Sequence, residues 1–226
     1  MTKLRFPAKM HSQAKKLTKK ELCSLKSKVG GLKSAQGEKM KILVIDDKPE
    51  NIESARREFG GHDLTAISDV DEAVKHLRIK YDEIKKEELK KGGMKWREAL
   101  EKSRLPFPYD VVLVDLMLPA SGYMLGDKKV FAGQEMPYGF GLAILAAKNG
   151  AKKVAVVTSM DHHQHPMSAF IDHIDGHIHI AEAEVVFLQL PDYNRPPKPK
   201  SWKRAVEILF GQERREKTAE EIIRGE

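Results

Sequence analysis

The sequence predicts a doubly wound α/β fold, a parallel sheet with helices packed on both faces. Two stretches and one pattern carry that prediction. Residues 109–119 read YDVVLVDLMLP, with a β-branched apolar run at 111–114 and the acid Asp115 at its end. A run so short and so rich in Val is a strand buried on both faces of a parallel sheet. Residues 41–47 read KILVIDD and repeat the form, an apolar run closed by Asp46 and Asp47. Acids at the carboxyl ends of such strands stand where open α/β sheets bind ligands; a lone acid there would more simply start a turn or cap a helix. The pattern is the alternation of strand and helix signals through the rest of the chain, which implies crossover connections and hence parallel strands.

The first strand is residues 42–45. A helix over 49–59 follows, with Pro49 in its first turn and Ile52, Ala55 and Phe59 on one face; Gly60 and Gly61 end it. Residues 63–67 form a weaker second strand. Asp69 or Asp71 caps a helix that carries Ala73, Val74 and Leu77. Residues 111–114 are the third strand, and an apolar helix over 141–148 stops at Asn149-Gly150. The fourth strand is 154–157, followed by a short helix over 167–174 that stops near Gly176. The fifth strand is 185–188, and an amphipathic helix over 202–210 closes the series. Two insertions break the alternation. Residues 81–108 are highly charged and helix-forming, a solvated excursion. Residues 120–137, rich in Gly and aromatic residues, follow the key acid as a long loop, of the kind that serves as a lid or partner surface.

The length of 226 residues suits one domain with elaborations, and a hydrophobic content of 41% is enough for a core. No apolar run is long enough to span a bilayer, and the basic N-terminus lacks the apolar centre of a signal peptide. Cys23 is the sole cysteine, which excludes an internal disulfide and a multi-cysteine metal site and fits a reducing cytoplasm. The net charge of +7 is unevenly spread. Residues 1–39 hold 11 of the 40 basic residues and 2 of the 33 acids, so the remainder is close to neutral. That head is expected to be a disordered, solvated tail, or an upstream extension ahead of a start at Met40. Contact with nucleic acid is expected only through this tail, and no membrane contact is expected. Residues 213–226 are a charged tail, helical at most.

Four motifs in order resemble the receiver domain of two-component response regulators. They are Asp46-Asp47 after the first strand, the DDKPEN entry to the first helix, VDLMLP around Asp115, and VVTS with Thr158-Ser159 after the fourth strand. The resemblance covers about residues 40–212. It implies a flavodoxin-like sheet of five parallel strands in the order 2-1-3-4-5, and a signalling domain, not an enzyme, that accepts a phosphoryl group on Asp115. It implies Mg²⁺ held by Asp47 and Asp115 directly, by Asp46 mainly through water, and by the Met117 backbone carbonyl, with Thr158 donating a hydrogen bond to the phosphoryl group. The chemistry suits these residue types. A carboxylate can hold a phosphoryl group as an acyl phosphate, and two anionic partners need a hard oxygen-seeking cation between them. The implied partners are a sensor histidine kinase or phosphotransfer protein and a downstream protein, in the cytoplasm.

One feature departs from the family. Receivers carry a Lys-Pro pair at the end of the fifth strand, and this chain has Leu190-Pro191. Lys198-Pro199, eight residues on, is the candidate substitute, and it would have to reach back from a stiff segment with four prolines between 191 and 200. The departure raises an alternative, a degenerate receiver that acts as a phosphorylation-independent interaction module. Histidine raises another. Six of the nine lie between His162 and His179, starting with DHHQHP at 161–166. His162, His163 and His165 with nearby carboxylates could ligate zinc or a similar ion, making a metal-binding protein or metalloenzyme; otherwise they cap the next helix or bond backbone. His177 and His179, alternating with Ile178 and Ile180, have the pattern of an exposed edge strand. Haloacid-dehalogenase-type phosphatases also place an Asp after a strand, but they need a second acid where this chain has Met117. The glycine-rich phosphate-binding loops are absent.

Overall fold

The computed structural model describes residues 39–122, 129–160, 165–171, 173–174, 177–190 and 198–211. The expectations for the basic head, for His162 and His163 and for the tail at 213–226 lie outside the described residues. Within them the chain is a mixed α/β domain with a mainly parallel central sheet, compatible with a flavodoxin-like fold. The elements are β1 (Lys41–Ile45), α1 (Pro49–Glu58), β2 (Asp63–Ile67), α2 (Val70–Leu77), α3 (Glu83–Lys91), α4 (Trp96–Lys102) and β3 (Val111–Asp115). They continue as β4 (Leu118–Pro119), β5 (Glu135–Met136), α5 (Tyr138–Lys148), β6 (Lys153–Thr158), α6 (Pro166–Ile171), β7 (His177–Ile180), β8 (Ala183–Gln189) and α7 (Trp202–Leu209).

The sheet order is β2-β1-β3-β6-β8-β7. The strand count differs from expectation: among the described residues the central sheet has six strands, because β7 turns back through Ala181 and Glu182 and pairs antiparallel with β8. The other five are parallel. Residues His177 to Ile180 alternate exposed and half-buried, as an edge strand with one solvated face does.

Period-two alternation sorts the strand side chains into two cores. Leu43, Ile45, Val112, Val114, Val154 and Val156 pack on one face with α2 and α5. Ile42, Val44, Val111, Leu113, Ala155 and Val157 pack on the other with α1 and α7. Both faces of β1, β3 and β6 are therefore dry, which is why their sequences read as unbroken apolar runs. Helices α2, α3 and α7 begin at side-chain caps. Asp69 accepts from the Glu72 N–H at 2.9 Å, Asp82 from the Lys85 N–H at 3.0 Å and Ser201 from the Arg204 N–H at 3.4 Å. Helix α5 starts at Tyr138 and not at 141, because Gly139 and Gly141 are absorbed into its first turn.

The first insertion is a closed excursion. Helices α3 and α4 sit beyond a neck in which Tyr81 bridges Arg104 and the Leu105 N–H reaches the Lys80 carbonyl at 2.9 Å. The second insertion returns as β5, which pairs antiparallel with β4 just after Asp115. Among the described residues no helix is long and apolar enough to cross a membrane.

Candidate functional site

The parallel register of β1 and β3 pairs Ile45 with Val114, so the next residues, Asp46 and Asp115, stand side by side at the carboxyl ends of the two strands. One oxygen from each of Asp46, Asp47 and Asp115 lies within 4.8 Å of the others. Asp46 is fully buried and fully engaged. Its Oδ1 accepts from the Lys48 N–H at 2.9 Å, and the Asn51 amide donates to both its oxygens at 3.0 Å. Asp47 is only partly buried, but its Oδ1 is out of contact with solvent and has no hydrogen-bond partner. Burial, then the charge of Asp46, pushes the Asp47 carboxyl above its ordinary pKa.

Among the described residues, the cation seated between Asp46 and Asp115 is Lys200. Its side chain is 1% exposed, and Nζ stands 2.7 Å from Asp46 Oδ2 and 2.6 Å from Asp115 Oδ1. Burial, with a further push from Asp46, raises the Asp115 pKa to about 6 against the opposing pull of Lys200. Two of the three clustered carboxylates, Asp46 and Asp115, share this buried ammonium and Asp47 does not contact it, a set that still favours an added cation.

Asp115, Thr158, Met117 and Lys48 line one open pocket with Ser159, Met160 and Glu135. Thr158 ends β6, and its Oγ1 accepts from the Met160 N–H at 3.1 Å, which leaves its hydroxyl proton free to be donated. The carbonyl of Met160 in turn accepts from Ser168 and Gln189, which ties this edge of the pocket to α6 and β8. Helix α5 approaches the acid strand closely. A Cβ at Gly139 would lie 2.4 Å from the Asp115 carbonyl oxygen, and the Gly139 N–H donates to the Leu116 carbonyl at 3.0 Å.

The geometry gathers Asp46, Asp47, Asp115, Met117 and Thr158 at one rim and corrects one assignment. Lys198 is exposed, and the amine at the acids belongs to Lys200, ten positions beyond Leu190. Two residues decide this. Ser201 caps α7 and Trp202 is its first buried side chain, so the residue just before them is carried to the strand ends. His165 accepts from the Met167 N–H at 3.1 Å and so serves the start of α6. Among the described residues no histidine joins a cluster able to hold a metal. Sequence reasoning missed Lys200, Asn51, Lys48 and Glu135. The amphipathic phase of α7 was the available signal for Lys200. The polar Asn51 beside the buried Ile52 was a weaker one for the residue that binds it.

No protein-family model matches this chain, and no curated protein matches its sequence. Among solved structures it is similar to one titled "BeF3 Activated DrrB Receiver Domain", at 12% identity, over 70% of this chain and 90% of that one, with a TM-score of 0.31. So slight a likeness has no bearing on function.

Proposed function

We propose that this protein is a receiver-like signalling domain that accepts a phosphoryl group on Asp115. The observation that carries the reading is the convergence of Asp46, Asp47 and Asp115, with Lys200 Nζ between Asp46 and Asp115 and Thr158 lining the same pocket as Asp115. In the transfer, an Asp115 oxygen attacks phosphorus, the donor's phosphorus–oxygen or phosphorus–nitrogen bond breaks, and the leaving group departs with its electron pair. Lys200 offers positive charge beside the attacking carboxylate, and the Thr158 hydroxyl donates to a phosphoryl oxygen. Asp47, with its orphaned buried oxygen, and Asp115 are the residues that would hold Mg²⁺. Asp46, already saturated by Asn51, Lys48 and Lys200, would act through water. When bound, the ion supplies charge neutralisation between the carboxylates and the incoming anion. The domain is a stoichiometric acceptor, not a turnover enzyme. Its proposed setting is the cytoplasm, with a histidine kinase or phosphotransfer protein as donor and a second protein as reader.

The test is intact mass after incubation with acetyl phosphate and Mg²⁺. The expected result is one hydroxylamine-labile phosphoryl group, absent in Asp115→Asn. Failure to label with any small phosphodonor would overturn the reading. The phosphorylation-independent interaction module would then lead, favoured by Leu190 at the strand end and by Lys200 already seated between two acids.

A further inference from the structure

Lys200 is not held at the site by a strand. β8 ends at Gln189, and the lysine arrives on the lead-in to α7. A side chain delivered from outside the sheet needs another anchor, and among the described residues Asn51 in α1 supplies one. The Lys200 backbone N–H donates to Asn51 Oδ1 at 3.0 Å, while the Asn51 amide nitrogen donates to both oxygens of Asp46. The Asn51 backbone carbonyl accepts from Trp202 Nε1 at 2.9 Å, and the Trp202 ring lies 5.4 Å from Lys200 Nζ. Asn51, Asp46 and Lys200 are all buried. We propose that Asn51 is the positioning residue of this site, which sets Lys200 against Asp115 in place of a strand-borne tether.

The chemistry of asparagine explains the residue type. The position needs an acceptor for the Lys200 N–H and donors for Asp46 on one short side chain. Aspartate would supply the acceptor but add a fourth carboxylate. Alanine would leave the Lys200 N–H unpaired in a dry place and Asp46 short of its amide donor. A purely structural asparagine, one that only stitches α1 to α7, would affect stability and leave the reactivity of Lys200 alone.

The effect on transfer rests on the phosphoryl-acceptor reading; the placement of Lys200 does not. Two measurements keep them apart. The first is acylation of lysines by an amine-reactive ester, mapped by mass spectrometry, with exposed Lys203 as the internal standard. In the full-length protein Lys200 is expected to react at least about tenfold more slowly than Lys203, because it is buried and ion-paired. Asn51→Ala should remove most of that protection, whereas Ile52→Val, a core change on the same helix, should keep it. If Asn51→Ala does not fold, Asn51→Ser, too short to reach the Lys200 N–H, carries the same expectation. Protection unchanged by the Asn51 substitution, or lost equally in Ile52→Val, overturns the proposal. The second is labelling by acetyl phosphate. Asn51→Ala should slow the saturated rate roughly tenfold with little change in half-saturation, and should have no further effect on top of Lys200→Met. An equal slowing in the Lys200→Met background overturns the proposal. If wild-type protein takes no label, the acceptor reading fails, and the acylation result alone decides the role of Asn51.

Discussion

Asp115 and Asp47 are held in a site that disfavours their charge. The Asp115 pKa is raised from 3.8 to about 6, chiefly by burial, and Asp47 is raised in the same direction. A raised folded-state pKa means that, between the ordinary value and about 6, the folded chain binds a proton that the unfolded chain releases. Stability from this group therefore falls as pH rises through that window and is level above it. Urea unfolding without divalent metal should show it as a difference. The stability of Asp115→Asn relative to wild type should climb from about pH 4 to about pH 6 and then flatten. A difference that stays constant with pH would count against burial as the cause. Mg²⁺ should reverse the sign by favouring the ionised form. It should stabilise wild type at neutral pH, do so progressively less below about pH 6, and leave Asp47→Ala unchanged. Equal stabilisation of Asp47→Ala would place the ion elsewhere. The three acids were legible in the sequence because each closes a short apolar run, and strand ends gather without knowledge of the intervening chain. Lys200 was not legible. Its place depends on the path between β8 and α7, and local pattern cannot choose between two lysines separated by one proline.

The site is built from the ends of β1, β3 and β6, and its geometry depends on how closely α5 packs against β3. Gly139 permits that approach; a methyl group there would meet the Asp115 carbonyl oxygen at 2.4 Å and the Leu116 Cα at 2.7 Å, both backbone atoms that cannot turn aside. Gly139→Ala should destabilise the fold by about 1–3 kcal/mol or more through overpacking, although alanine is the better helix former. Gly141 is the control on the same helix. Nothing lies within 4 Å of a Cβ built there, so Gly141→Ala should be neutral or stabilising by up to about 1 kcal/mol. Chemical denaturation of the pair checks both, and equal effects would show that backbone propensity decides, not the contact with Asp115. At this scale the strands were legible because their faces are uniformly apolar, and their parallel pairing followed from the alternation with helices. β7 was readable as an edge strand from its His-Ile alternation, but not as a member of this sheet. Its partner is set by the two-residue turn at Ala181, where φ is 54°, a left-handed conformation that alanine does not advertise.

At the scale of the molecule, the excursion through α3 and α4 tests how much of the chain the sheet needs. Its composition announced helices and solvent, and α3 buries no residue, while α4 buries Ala99 alone. Ile84 and Trp96 stay largely exposed, so the excursion adds little apolar burial to either core. Its neck is already closed. Tyr81 bridges Arg104, the Asp82 N–H reaches the Ser103 carbonyl at 2.8 Å, and Arg104 donates to the Asn149 carbonyl at 3.1 Å at the end of α5. The two chains that leave the domain therefore run antiparallel and in contact before the helices begin, which is the geometry a two-residue hairpin turn requires. Replacing residues 83–102 with Asn-Gly should leave the far-ultraviolet signature of the sheet and the response to Mg²⁺ intact. Unfolding free energy should change by no more than about 1 kcal/mol, since the lost burial is small and the shorter loop costs less entropy to close. A chain that fails to fold, or that folds and no longer responds to Mg²⁺, would show that the two helices support the acid-bearing strands from outside the sheet.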